Sequence, residues 1–326
     1  MEIDLKNSIL IAVGGNSLIR AGQRGTMPEQ FANARPICER IVDLAARGFR
    51  IVVTHGNGPQ VGSQLLRSEA GSQQTYTLPL DVCVAMTQGE IGYILQTTLQ
   101  SVLGERSMRI PVAALITQVL VNKADAAFDN PTKPIGPFYS EDSARRKKEE
   151  LGWNIVEDAA RGYRRVVPSP NPCAIVELDV VHSCLAQGMI VIAFGGGGIP
   201  VVSENGTVRG IEAVIDKDKA SALLASRLGF ERLLISTDVE QVFLNYKKPG
   251  QQALRSLTVQ EAKAHLRACH FSEGSMKPKI EAAIAFLEWG GKEVLITDPE
   301  HILPALEGDS GTHVGHEVNH AVAPHR

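Results

Sequence analysis

The run Met189-Ile190-Val191-Ile192-Ala193-Phe194 passes without a spacer into Gly195-Gly196-Gly197-Gly198, and this junction constrains the fold more than any other stretch of the chain. A short apolar run of this kind reads as a buried strand. Glycines directly after it leave the backbone free to take positive φ and open to close approach. Two similar junctions come earlier. Ser8-Ile9-Leu10-Ile11-Ala12-Val13 runs into Gly14-Gly15-Asn16, and Phe49-Arg50-Ile51-Val52-Val53-Thr54 runs into His55-Gly56-Asn57-Gly58-Pro59. Any one of these elbows could serve only a tight turn. Together they point to one site at a sheet edge, where backbone N–H groups and helix amino ends meet a small, heavily charged ligand. None has Walker spacing, and Gly56-Asn57-Gly58 lacks the continuation of a dinucleotide fingerprint.

The first half alternates strand, elbow and amphipathic helix, with helical stretches from Gln60 and from Asp81 to Leu95 and a further strand from Pro111. That alternation predicts an α/β fold with a mostly parallel sheet covered on both faces. Residues 120–170 break the rhythm. Asn130-Pro131-Thr132-Lys133-Pro134-Ile135-Gly136-Pro137 is too proline-rich for a regular element. Ser140 to Leu151 reads as a charged helix and Trp153 to Val167 as two strands. The whole reads as a small protruding subdomain, or as an exposed connection without a role. The pattern resumes with a helix near Val180–Ala186, a hairpin turning at Asn205-Gly206, a strand at Leu233–Asp238, a helix from Ile280 to Trp289 and a last strand at Val294–Asp298. The His-rich tail after Val314 reads as a frayed end.

Composition narrows the partners. Lys plus Arg is 33 against Asp plus Glu 36, a net charge of −3, which gives no footprint for nucleic acid or an anionic membrane. No apolar run approaches the ~20 residues that span a bilayer. The first residues lack the basic start and apolar stretch of a signal peptide. Cysteines at 38, 83, 173, 184 and 269 have no metal-ligand spacing, so reduced, mostly buried thiols in a cytoplasmic protein are expected. No resident metal site is expected, and any metal should be Mg²⁺ arriving with a nucleotide.

Lysines supply the positive charge such a site needs. Asp216-Lys217-Asp218 falls where a strand end meets a helix start. It could be a solvated surface cluster, or an aspartate there could hold Lys217 for a transferring phosphoryl group, a reaction that rests on positioning and charge neutralisation. In Gly274-Ser275-Met276-Lys277-Pro278-Lys279, Pro278 fixes the chain at a helix start and sets Lys279 near its amino end. That position is unfavourable for a cation unless an anion binds there. Lys133 sits between prolines on a stiff loop suited to reaching over a site. His55 beside its elbow could act as a base or make a structural hydrogen bond.

These segments, in this order over nearly the whole chain, resemble the carbamate kinase branch of the amino acid kinase family. The resemblance rests on Ala12-Val13-Gly14-Gly15-Asn16, Thr54 to Gly62, Asn130 to Gly136, Gly195 to Pro200, Glu212-Ala213-Val214-Ile215-Asp216-Lys217-Asp218 and Gly274 to Lys279. The glycine motifs are common to amino acid kinases, whereas Asn-Pro-Thr-Lys-Pro with Ile-Asp-Lys-Asp points to the carbamate kinase branch. Ser17 stands where many members have alanine, and Lys277 adds a charge beside Lys279.

The resemblance implies a three-layer αβα sandwich with an open, mostly parallel sheet of about eight strands, and a homodimer. Residues 1–195 would form a lobe for carbamate or carbamoyl phosphate, 196–326 a lobe for ADP or ATP with Mg²⁺, and 120–170 a lid. It implies that Lys217 and Lys279 neutralise the transferring group, with Asp216 and Asp218 orienting Lys217 and Lys133 reaching in from the lid. Gly14, Gly15, Asn16, Gly56, Asn57, Gly58, Gly196 and Gly197 would contact carbamate and phosphoryl oxygens. Thr237, Asp238, Val239, Tyr246 and Met276 would lie by the nucleotide. The expected reaction is reversible phosphoryl transfer between ATP and carbamate, used toward ATP in arginine, agmatine or allantoin breakdown. The competing readings are another acylphosphate-forming amino acid kinase and a catalytically silent protein that binds carbamoyl phosphate or nucleotide. The Asn-Pro-Thr-Lys-Pro excursion speaks against the first, and retention of both lysines and both aspartates against the second.

Overall fold

In the computed structural model, which describes residues 7–14, 17–20, 22–157, 162–272 and 274–317, one sheet of eight strands runs through the molecule. Its order is Ser256–Thr258, Thr312–Gly315, Glu293–Thr297, Arg232–Ser236, Ser8–Val13, Arg50–His55, Ile190–Ile192 and Val112–Ala114. Every neighbouring pair is parallel except Glu293–Thr297 with Thr312–Gly315.

The continuous apolar strands follow from cover on both faces. In Ser8–Val13, side chains alternate across the sheet. Ile9, Ile11 and Val13 join a core built with helices Met27–Ala46 and Leu80–Glu105. Leu10 and Ala12 join a core on the other face, built with helices Leu178–Ala186, Lys217–Arg227, Val259–Arg267 and Met276–Glu288. Both faces of this strand are fully buried, as a parallel sheet between two helical layers requires. The result is the expected three-layer α/β sandwich.

A second sheet, ordered Thr207–Gly210, Ile199–Glu204, Gln118–Val121 and Pro172–Ile175, flanks the first. Its hairpin turns at Asn205 (φ 50°) and Gly206 (φ 80°), both in the left-handed region that the Asn-Gly pair predicts. A third, antiparallel sheet of Lys133–Tyr139, Tyr163–Val167 and Ile155–Glu157, with helix Glu141–Leu151, is inserted in sequence between strands Gln118–Val121 and Pro172–Ile175 of the second sheet. The proline-rich stretch is therefore a strand in part, contrary to expectation. Among the described residues, Lys133–Tyr139 pairs only with Tyr163–Val167, so its other edge has no ladder bonds to them and tolerates proline.

Two further expectations change. Val294–Asp298 does not end the sheet, because Thr312–Gly315 turns back antiparallel beside it. The thiols are not mostly buried: Cys38 and Cys83 are, but Cys173 and Cys269 are exposed, and all are free. Among the described residues, no helix is long and apolar enough to cross a membrane.

Candidate active site

The three elbow-bearing strands lie side by side in the sheet, so their carboxyl ends open at one edge. Phe194, Gly196, Gly197 and Gly198 all have φ between 55° and 90°. Only glycine takes that region without strain. There is also no room for side chains. A Cβ on Gly195 would overlap the His55 ring, one on Gly196 the Asn57 amide, and one on Gly197 would come 2.8 Å from the Ile215 carbonyl oxygen. The four-glycine turn thus lies flat against the neighbouring elbow. Gln88 fixes it by donating to the carbonyls of Gly195 (3.0 Å) and Thr117 (3.1 Å). The Thr117 hydroxyl accepts from Phe194 N at 2.6 Å.

Three helices start at this edge. Asn57 precedes Gly58–Ala70, Asp216 precedes Lys217–Arg227 and Ser275 precedes Met276–Glu288, and all three residues line one cavity of about 220 Å³. The positive dipole ends of these helices favour an anion there. Gly56, Gly58, Pro59, Gly196, Val214, Ile215, Gly274 and Pro278, with Lys133, Pro134 and Ile135 from the third sheet, line more of the wall.

Five charged side chains meet in this cavity. Asp218 takes Lys217 Nζ on one oxygen at 2.5 Å and Lys279 Nζ on the other at 3.1 Å. Asp216 takes Lys133 Nζ at 2.7 Å on one oxygen and caps its helix with the other, accepting from Asp218 N at 2.9 Å. Asp216 therefore orients Lys133 rather than Lys217, whose hydrogen-bonded carboxylate is Asp218. Among the described residues, three ammonium groups against two carboxylates leave one positive charge, which a phosphoryl group would neutralise.

The burial is deep, so the charges act strongly. Burial opposes the ionised form of Asp218, but Lys217 and Lys279 outweigh it and hold the carboxyl well below the usual range. Burial lowers the Lys217 pKa, with Asp218 pulling against it and Lys279 adding to the fall. For Lys279 burial also works against the charge, yet Asp218 prevails and the net shift is upward. Burial holds the His55 pKa at about 4, so the ring is neutral at pH 7, with Nδ1 3.1 Å from the Gly56 carbonyl. A neutral ring packed beneath the elbow fits a structural role better than that of a base.

Ser275 also lines an adjoining cavity of about 290 Å³, with Thr237, Asp238, Val239, Tyr246 and Met276, the residues expected beside a nucleotide. Phe243, Phe271 and His270 were not anticipated there, because isolated aromatics look like core in a sequence. Ser275 had a signal, a serine before a helix start with proline inside the first turn. Of the other expected contacts, Gly14 and Gly197 are not among the residues lining either cavity, and neither is Lys277. Gly15 and Asn16 lie outside the described residues. A larger cavity of about 630 Å³ lies beyond Thr237 and Asp238 but contains none of the five clustered charges.

Paired buried lysines at converging helix amino ends suit a protein that transfers a phosphoryl group. A profile of the amino acid kinase family matches residues 7–298, and the chain belongs to that family. It is 47% identical over 313 residues to a carbamate kinase of Thermococcus kodakarensis, covering 95% of this chain and 99% of that one. It is also 47% identical to a carbamate kinase of Pyrococcus furiosus, covering 94% and 98%. The carbamate kinase of Giardia lamblia bound to AMP-PNP superposes with a TM-score of 0.89 at 39% identity, covering 95% of this chain and 98% of that one.

Proposed function

We propose that this protein is a carbamate kinase, which transfers a phosphoryl group reversibly: ATP and carbamate give ADP and carbamoyl phosphate. The observation that carries this is the Lys217–Asp218–Lys279 bridge at the meeting of three helix amino ends, with Lys133 above it from the lid. A phosphoryl group in flight carries negative charge on its equatorial oxygens, and catalysis consists of holding it in line and stabilising that charge. Lys217 and Lys279 supply the ammonium groups. Asp218, kept ionised by both, holds them apart and aimed. The backbone of Gly56, Gly58 and Gly196 offers close approach to oxygens.

Among the described residues, the two carboxylates lining the cavity are both engaged by lysines, which supports a small acceptor over the α-ammonium of an amino acid. Pro59, Pro134 and Ile135 close the space around a small acceptor. Carbamate, with one carboxylate and one amide nitrogen, suits such a space.

Residues 1–195 would hold the carbamate side and 196–326 the nucleotide side, with 120–170 as lid. Mg²⁺ would enter as part of the Mg–nucleotide substrate. Among the described residues no group of three or more His, Cys, Asp or Glu could hold a metal. Helix Leu80–Glu105 exposes an uncharged stripe of Val82, Met86 and Tyr93, which supports a homodimer through this face and is open to test by sedimentation. The cytoplasm is the proposed compartment. Breakdown of arginine, agmatine or allantoin, run toward ATP, is the proposed setting.

The test is ATP formation from ADP and chemically made carbamoyl phosphate by pure protein with Mg²⁺. Robust ATP formation is expected. No ATP above background removes the reading.

A further inference from the structure

The lid strand Lys133–Tyr139 is tied to the body at three places along its length. At the cavity, Lys133 meets Asp216. At mid-strand, Gly136 lies backbone to backbone on Gly62 of helix Gly58–Ala70, so close that a Cβ on Gly62 would overlap Gly136 Cα. At the far end, Lys147 Nζ stands 5.2 Å from the Tyr139 ring centre and 4.7 Å from that of Trp153, and pairs with Glu69 at 2.5 Å.

This third tie lies well away from the reacting groups. Lys147 and Glu69 are not among the residues lining the charged cavity. Lys147 belongs to helix Glu141–Leu151, which follows the lid strand directly, and Glu69 to the last turn of the helix whose first residue, Gly58, lines that cavity. The side chains of Lys147 and Glu69 are 20% and 26% exposed, so the pair is only partly screened by water. Two aromatic rings add attraction for the ammonium. Burial raises the Tyr139 pKa to about 12, with Glu69 adding to the rise, so the phenol stays neutral beside the pair. Arg165, 4.4 Å from the Trp153 ring, pairs with Glu212 at 3.3 Å on the body.

We propose that Lys147 and Glu69 are positioning residues: a latch that sets the tilt of the lid strand along helix Gly58–Ala70 and so holds Lys133 over the cavity. The Gly62–Gly136 contact is the pivot between them. Release of the latch frees the far end of the strand, and the Lys133 ammonium then loses its fixed place. The proposal takes its reaction from the carbamate kinase reading, but the latch itself rests on these contacts.

A double-mutant cycle tests it. Lys147→Met should raise KM for carbamoyl phosphate about tenfold and change kcat less than about threefold, the scale for one partly buried ion pair. Lys147→Arg should retain most of the wild-type KM. In a Lys133→Ala background, adding Lys147→Met should cost little more, because both changes remove the same ammonium from the site. A tenfold penalty that persists without Lys133, or a folded Lys147→Met protein with normal KM, overturns the proposal. If Lys147→Met fails to fold, Glu69→Gln takes its place in the same cycle. A readout independent of turnover comes from the two tryptophans: with Trp289→Phe, emission reports Trp153 alone. Lys147→Met should shift that emission to the red, and unchanged emission also overturns the latch. A parent protein that makes no ATP but shows the shift would fault the reaction and leave the latch standing.

Discussion

The two cavities that meet at Ser275 are built on opposite plans. The charged cavity is made of fixed parts: elbows in which a Cβ would collide with a neighbour, and ammonium groups each held by a named carboxylate oxygen. The adjoining cavity is made of surfaces. Phe243 and Tyr246 face each other with ring centres 5.7 Å apart, Tyr246 is 45% exposed, Val239, Phe271 and Met276 add apolar surface, and Thr237, Asp238, Lys247, His270 and Ser272 set polar groups around it. The difference follows from what each must hold. Developing charge is stabilised by donors that need no rearrangement at the moment of reaction. A flat ring in an apolar cleft gains from contact area and tolerates substitution of one contact by another. Alterations at the first end should therefore reach kcat, and alterations at the second should be confined to KM for the nucleotide.

The sharpest break comes at Lys217. Lys217→Ala leaves Asp218 with Lys279 alone and removes one ammonium from the cavity. We expect kcat to fall roughly 10²- to 10³-fold, about 2.7–4 kcal/mol, on the scale of one lost oxyanion donor. Steady-state kinetics on folded variant protein checks it. Near-normal turnover would mean that Lys217 serves folding rather than transfer, and the contrast between the two ends would fail at its strongest point.

His55 tests the fixed end through stability instead. Its ring is neutral in the fold with a pKa of about 4, whereas an unfolded histidine titrates near 6.5. Between those values the unfolded chain takes up a proton that the folded chain refuses. The stabilising contribution is complete above about pH 6.5 and declines as pH falls toward 4, by about 3 kcal/mol at that point. Urea unfolding at pH 7, 5.5 and 4.5 should show the decline, and His55→Gln should remove that part of the slope. An unchanged slope would show that the ring is protonated in the fold and that the elbow above it is looser than its packing indicates.

The same contrast explains what could be read without coordinates. The elbows were legible because backbone that must be bare is written as glycine, directly after strands that must be apolar on both faces. The lysines were legible as positive charge where helices begin. Their pairing was not: nothing in Asp216-Lys217-Asp218 says that one aspartate turns to Lys133 and the other to Lys279, 61 residues away in sequence. Lys133–Tyr139 looked irregular because its prolines are forbidden only in a strand paired on both sides. Thr312–Gly315 and Ser256–Thr258 were missed because strands of four and three residues carry little periodicity. Phe243 and Phe271 carry no mark that separates a cavity wall from a core. Surfaces are chosen by shape, and shape depends on elements far apart in the chain.

The smallest expected effect lies at the surface-built end. Tyr246→Ala removes a ring packed tilted against Phe243 and leaves the charged cavity untouched. Pairs of this kind contribute about 1 kcal/mol beyond their buried area, and Tyr246 is nearly half exposed, so the loss should stay near that figure. KM for ADP should rise about fivefold to tenfold, with kcat and KM for carbamoyl phosphate unchanged within about twofold. Titrating ADP at saturating carbamoyl phosphate, and then the reverse, separates the two. If Tyr246→Ala instead lowers kcat as Lys217→Ala does, nucleotide placement and phosphoryl stabilisation are not separable in this protein. The two cavities would then be one rigid site, and Ser275, the residue they share, would be the first place to look for the coupling.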